Sequence, residues 1–68
     1  MPRVIRSKEL IKLLNQYGFM LTRQKGSHAH FRHADGRWTT IPIHNRELKK
    51  GTLHAILKDT NLTLDDLP

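Results

Sequence analysis

Cysteine is absent, so neither disulfides nor thiolate zinc ligands can support this chain. No apolar run approaches the roughly 20 residues of a membrane-spanning helix. The stretch Met1-Pro2-Arg3-Val4-Ile5-Arg6-Ser7-Lys8 carries charge but none of the apolar segment of a signal peptide. Neither GxGxxG nor GxxxxGK followed by Ser or Thr occurs, so the common glycine-rich phosphate loops are excluded. Acids are scarce: six face twelve Lys and Arg, a formal charge of +6. Their placement is uneven. Residues 1–58 hold all twelve basic side chains and three acids, Glu9, Asp35 and Glu47, a net +9. The last ten residues carry Asp59, Asp65 and Asp66, a net −3.

A chain of 68 residues allows one domain, residues 1–68, with one small core and a site on its surface. A basic body attracts polyanions over long range. Nucleic acid, anionic membrane or an acidic protein would each satisfy it. No segment joins a basic helix face to a broad apolar one, so the membrane is the weakest of the three. The expectation is a soluble, cytoplasmic protein, monomeric when free.

Ser7 reads as a helix N-cap, and Leu10, Leu13, Leu14 and Tyr17 form one apolar stripe behind it. Gly18 supplies the left-handed conformation that ends such a helix, placing it over about Ser7 to Tyr17. Phe19 to Gln24 reads as a strand with Phe19 and Leu21 on one face, Met20 and Thr22 on the other. Gly26-Ser27 turns into a second strand, His28 to His33, and Asp35-Gly36 into a third, Arg37 to Ile43. A two-residue loop there would pair Phe31 with Thr40. A three-residue loop, Ala34-Asp35-Gly36, pairs Phe31 with Thr39 and Ala29 with Ile41. The second is preferred because it gathers Ala29, Phe31, Thr39, Ile41 and Ile43 on one face and His28, His30, Arg32, Trp38 and Thr40 on the other.

Pro42 marks a sheet edge or exit, and His44 to Lys50 reads as a polar loop. Thr52 is the next cap, followed by the stripe Leu53, Ile56 and Leu57, with Asn61 as a left-handed end. Thr63-Leu64-Asp65-Asp66 resembles a capping box with aspartate in the usual Glu position. The fold class is therefore α+β, ordered α-β-β-β-α. Two helices cover one face of a three-stranded antiparallel sheet, and the other face is left to solvent.

The chemistry concentrates at Gly26-Ser27-His28-Ala29-His30-Phe31. Imidazole, with an unperturbed pKa of about 6.5, both takes and gives protons near neutrality. Next to Lys25, Arg32 and Arg37, His28 would meet a phosphate, a combination suited to RNA cleavage. A turn histidine is equally ordinary polar surface. Three histidines invite a metal, but His33 points away from His28 and His30, and no Cys or nearby carboxylate completes a shell. No cofactor is expected. His44 follows the third strand and is a second catalytic candidate. Lys49 and Lys50 precede the second helix, where an anion would also meet free amides. Trp38 suits base stacking or partial burial alike.

Tyr17-Gly18-Phe19, Lys25-Gly26-Ser27-His28, Phe31-Arg32-His33, Asp35-Gly36-Arg37, Ile41-Pro42 with His44, and Lys50-Gly51-Thr52-Leu53 with Ile56-Leu57 follow one another at close spacing. In that order they resemble the HicA family of bacterial toxins, small mRNA interferases encoded with a HicB antitoxin. The resemblance implies a fold like a double-stranded-RNA-binding domain and a metal-independent endoribonuclease acting on mRNA in the bacterial cytoplasm. It implies a HicB-type partner, and a catalytic histidine after the glycine turn, at His28. Lys25, Ser27, His30, Arg32, Arg37, Trp38, Lys49 and Lys50 are the expected RNA contacts. The rival readings are a non-catalytic RNA-binding module and a basic adaptor for an acidic protein.

Overall fold

Leucines at positions 10, 13 and 14 are fully buried and draw the first helix onto the sheet. A computed structural model describes residues 5–44 and 46–66. Within it the order is α1 (Ser7–Gln16), β1 (Phe19–Lys25), β2 (His28–His33), β3 (Trp38–Pro42) and α2 (Lys50–Thr60), closed by a 3-10 turn at Leu64–Asp66. The strands make one antiparallel sheet, β1-β2-β3. Residues 1–4, half of the stretch read for a leader, lie outside the described residues, as does Asn45 of the loop. No described helix is long and apolar enough to cross a membrane.

The hairpin between β2 and β3 uses the three-residue loop. The His33 amide donates to the Arg37 carbonyl (2.8 Å), the Gly36 amide to that of His33 (3.0 Å). Gly36 sits at φ +101°, a backbone conformation that disfavours any side chain. Phe31 pairs with Thr39 and Ala29 with Ile41. These four and Phe19 are buried under the helices. Ile43 belongs to the same alternation but lies past the end of β3, where cover runs out, and it is exposed.

Strand β1 departs from simple alternation. Leu21 pairs with Phe31, but Arg23 pairs with His30, so Thr22 is an extra, bulged residue. Its hydroxyl donates to the His30 carbonyl (3.2 Å). Only Phe19 of this edge strand is buried. Leu21, expected beside it, is 53% exposed, because the helices do not reach over that edge.

Both expected helix caps are corrected. Arg6, not Ser7, is the N-cap of α1, in extended conformation and without a side-chain cap bond. The buried Ser7 hydroxyl instead donates to the Pro42 carbonyl at the end of β3. Lys49 is the N-cap of α2, and Thr52 lies inside its first turn. The helix starts early because Leu48 is pulled into the core, its amide bonded to the Ile5 carbonyl (2.7 Å). The supposedly polar loop thus supplies a core residue, as does Leu62 after α2. Tyr17 leaves the apolar stripe. It is 41% exposed, and its hydroxyl donates to Asp66 Oδ1 (3.1 Å). That bond raises the Tyr17 pKa. The Thr63 amide first, and Tyr17 with it, hold Asp66 below the usual carboxylate range. Thr63 N donates to Asp66 Oδ2 (2.8 Å), the carboxylate half of the capping box. The Thr63 hydroxyl donates to the same oxygen (3.2 Å), and the Asp66 amide to the Thr63 carbonyl (3.0 Å). Asn61 ends α2 in the left-handed region at φ +58°.

Gly18, at φ +88°, passes so close to His33 that an added Cβ would stand 3.0 Å from its Nε2. His33 in turn meets the Phe19 ring edge-on at 5.1 Å. Gly18→Ala should therefore destabilise by about 1–2 kcal/mol from backbone conformation alone, plus a steric part. In a His33→Ala background the steric part should vanish and the first should remain. Equal losses in both backgrounds, by urea unfolding, would show that the contact is not restrictive.

Candidate functional site

Residues paired across a sheet share a face, so the register gives the open surface row by row. Lys25, His28 and Pro42 form the row nearest the Gly26-Ser27 turn. Arg23, His30 and Thr40 form the next, then Met20, Arg32 and Trp38. None of the three strands contains an acid. The bulge matters here. With unbroken pairing, Thr22 and Gln24 would stand in the places that Arg23 and Lys25 hold. One extra residue turns two cations onto the face of His28.

His28 is exposed and stands at the first position after a braced turn. Gln24 Nε2 donates to the Gly26 carbonyl (3.2 Å), and the Ile43 amide to the Ser27 carbonyl (2.6 Å). The second bond extends pairing past β3, so His44 follows at the same end of the sheet. There its Nδ1 contacts the Arg46 carbonyl (3.0 Å). His30 is tethered, its Nδ1 lying 3.1 Å from Thr40 Oγ1. Further along, Thr22, Arg23, His30, Phe31, Arg32 and Trp38 line a depression of about 300 Å³. His28 lies outside it, toward the turn.

Lys25, His28, His30, Arg32 and Trp38 thus share one surface, with Ser27 in the adjoining turn. Arg37 does not join them. It starts the opposite end of the hairpin, across from His33, five residues of strand or about 17 Å from His28. Its Nε donates to Asp35 Oδ2 (2.8 Å), its Nη1 to the Thr60 carbonyl, and its guanidinium lies 5.1 Å from the Phe19 centroid. A cation on the last carbonyls of a helix satisfies orphan acceptors and complements the helix dipole. The Arg37 amide, then its guanidinium, hold the Asp35 carboxyl below its ordinary range. Arg37 is a fastener of α2. Lys49 and Lys50 are exposed at the other end of α2, in the layer behind the sheet.

His33 belongs to the core side, where its Nδ1 accepts from the Asp35 amide (3.0 Å). The three histidines of β2 therefore do not converge, and no metal-binding cluster of His, Asp or Glu forms among the described residues. Arg23 is the cation of this face that alternation hides, since simple period-two reading turns it toward the helices. Only its place in a run of cations, Arg23 and Lys25 before the turn, hints at it.

No curated protein matches the chain. The family described as HicA toxin of bacterial toxin–antitoxin matches residues 7–62, from the first turn of α1 to the buried Leu62 beyond α2. That span holds the whole sheet, both helices and His28 after its turn, and by it this chain belongs to the HicA toxin family of bacterial toxin–antitoxin systems.

Proposed function

We propose that the protein is a metal-independent endoribonuclease that cleaves mRNA in the bacterial cytoplasm, with His28 as its proton-transfer residue. The observation that carries this is His28 itself, exposed beside a braced turn on a face whose only charged side chains are cationic. In the reaction the 2′-oxygen of RNA attacks the adjacent phosphorus while the bond from phosphorus to the 5′-oxygen breaks. His28 takes the 2′-hydroxyl proton, delivers a proton to the departing 5′-oxygen, or does both in turn. Positioned proton transfer contributes about 10²–10⁴-fold. Lys25, directly across from His28, and Arg23 one row on hold the phosphate and stabilise its developing charge. Ser27, His30, Arg32 and Trp38 extend the surface along which a single strand runs.

His28→Ala should lower RNA cleavage by at least about 100-fold with little change in melting temperature, because the side chain is exposed. Cleavage by the wild type should survive chelator. Wild-type cleavage by a folded Ala variant would remove His28 from the mechanism. Loss of activity with chelator would return a metal to it. If RNA binds tightly and neither protein cleaves it, the chain is a binding module.

The cations separate by salt dependence. Each phosphate contact removed should flatten the log–log slope of affinity against salt by about 0.7 on single strands. Arg23→Ala and Lys25→Ala should each do so, measured by filter binding from 50 to 200 mM salt. Arg37→Ala should leave the slope unchanged and lower the melting temperature instead. A flattened slope for Arg37→Ala alone would place the phosphate track at the other end of the sheet.

A HicB-type antitoxin is the proposed partner. Its acidic groups would cover Lys25 and Arg23, where complementary charge speeds association and apolar contacts set residence time. The complex should protect His28 from diethylpyrocarbonate, read by mass spectrometry. Undiminished modification of His28 in the complex would mean inhibition from another surface.

A further inference from the structure

We infer that the depression walled by Thr22, Arg23, His30, Arg32 and Trp38 is a nucleobase subsite for single-stranded RNA. It would hold a base beside the phosphate at His28. The inference rests on the ribonucleolytic reading above and deepens it by naming what the second half of the open face binds.

Trp38 is 62% exposed on an acid-free strand, directly opposite Arg32. An indole held at the surface beside a guanidinium is a stacking platform, since each offers a plane to a base. The depression of about 300 Å³ lies at the small end of ligand pockets, which suits one planar group rather than a folded ligand. Its walls are held in place. Thr22 Oγ1 is bonded to the His30 carbonyl, and His30 Nδ1 to Thr40 Oγ1, which leaves His30 Nε2 for a ligand. Arg23 and Arg32 bring donors, which match the ring nitrogens and carbonyls of a base. The bulge at Thr22 builds the slot, because it carries Arg23 into the row of His30.

The spacing fits a strand of RNA. His28 and His30 are two residues apart on β2, about 7 Å, and Trp38 faces a residue about 13 Å from His28. A base in the slot is therefore a near neighbour of the cleaved bond, so the slot would select the sequence around it. Lys25 beside His28 serves the backbone, and Trp38 serves the base.

Trp38 is the sole tryptophan, so its fluorescence reports the slot alone. The probe is a 2′-O-methyl octaribonucleotide, which lacks the attacking hydroxyl and stays intact. Its companion is an abasic oligomer of equal length and charge. The intact probe should quench Trp38 and the abasic one should not. Trp38→Ala should weaken binding of the intact probe by about 5- to 150-fold, and Trp38→Phe should restore most of it. Neither variant should change affinity for the abasic oligomer. Equal quenching by both probes, or unchanged affinity of folded Trp38→Ala, would overturn the subsite. Cleavage of long unmodified RNA, assayed in parallel, separates the two readings. Cleavage without base-dependent quenching removes the slot and leaves the nuclease. Base-dependent quenching without cleavage leaves the slot on a non-catalytic binder. Quenching by a purified antitoxin but not by RNA would also overturn the subsite, giving the slot to the protein partner.

Discussion

The loop from Ala34 to Gly36 decides how β3 lies against β2, and most of the molecule follows from that decision. Side chains alternate along a strand, so a slip of one residue would send Thr39 and Ile41 outward and Trp38 and Thr40 into the core. Gly36, at φ +101°, closes a loop that pairs Phe31 with Thr39. Asp35 accepts from both the amide and the guanidinium of Arg37. Arg37 then reaches the Thr60 carbonyl at the end of α2, while Thr39 Oγ1 donates to Asp59 (3.1 Å). The turn that sets the register is thus also the point where the second helix is anchored. An error in one would be an error in both.

A sheet of three short strands offers limited apolar surface, and this chain spends all of its cover on one side. Leu10, Leu13, Leu14 and Ile56 close over Phe19, Phe31 and Ile41, and nothing among the described residues lies over His28, Arg32 or Trp38. Confining the hydrophobic effect to one face lets the other be chosen for chemistry alone. Cations gathered there repel one another and offer the fold nothing in return, so a polyanion relieves a tension already present in the free protein. Charge used for structure stands apart. Arg37 is paired with Asp35 at the opposite end of the hairpin, where its field is partly neutralised.

Much of this was legible in the chain. The leucine spacing announced α1, and the choice of a three-residue loop placed His28, His30, Arg32, Trp38 and Thr40 on one face, as the pairing has them. What escaped has a common cause. Ser7 and Thr52 have the chemistry of caps, but a hydroxyl goes to whichever partner the tertiary fold brings, and for Ser7 that was Pro42. Leu48 sat among polar neighbours and was buried through a long-range bond to Ile5. Arg37 and Lys25 look alike as formal charges, and only packing shows that one is engaged by Asp35, Thr60 and Phe19 while the other lies open beside His28. A bulge has no signature in Phe-Met-Leu-Thr-Arg-Gln-Lys, because the same letters can pair with or without it.

That extra residue makes the pairing of β1, not only its lettering, a property of the surface. A chain that kept Thr22 but paired without the bulge would hold the same twelve basic side chains and the same net charge of +6, yet Arg23 and Lys25 would turn to the other side of the strand. An ungapped comparison of a bulged and an unbulged chain would align identical letters that face opposite ways. Relatives that differ by one residue between Leu21 and Arg23 should accordingly be compared by strand partner, with the gap placed at the bulge, before any of their cations are matched to these.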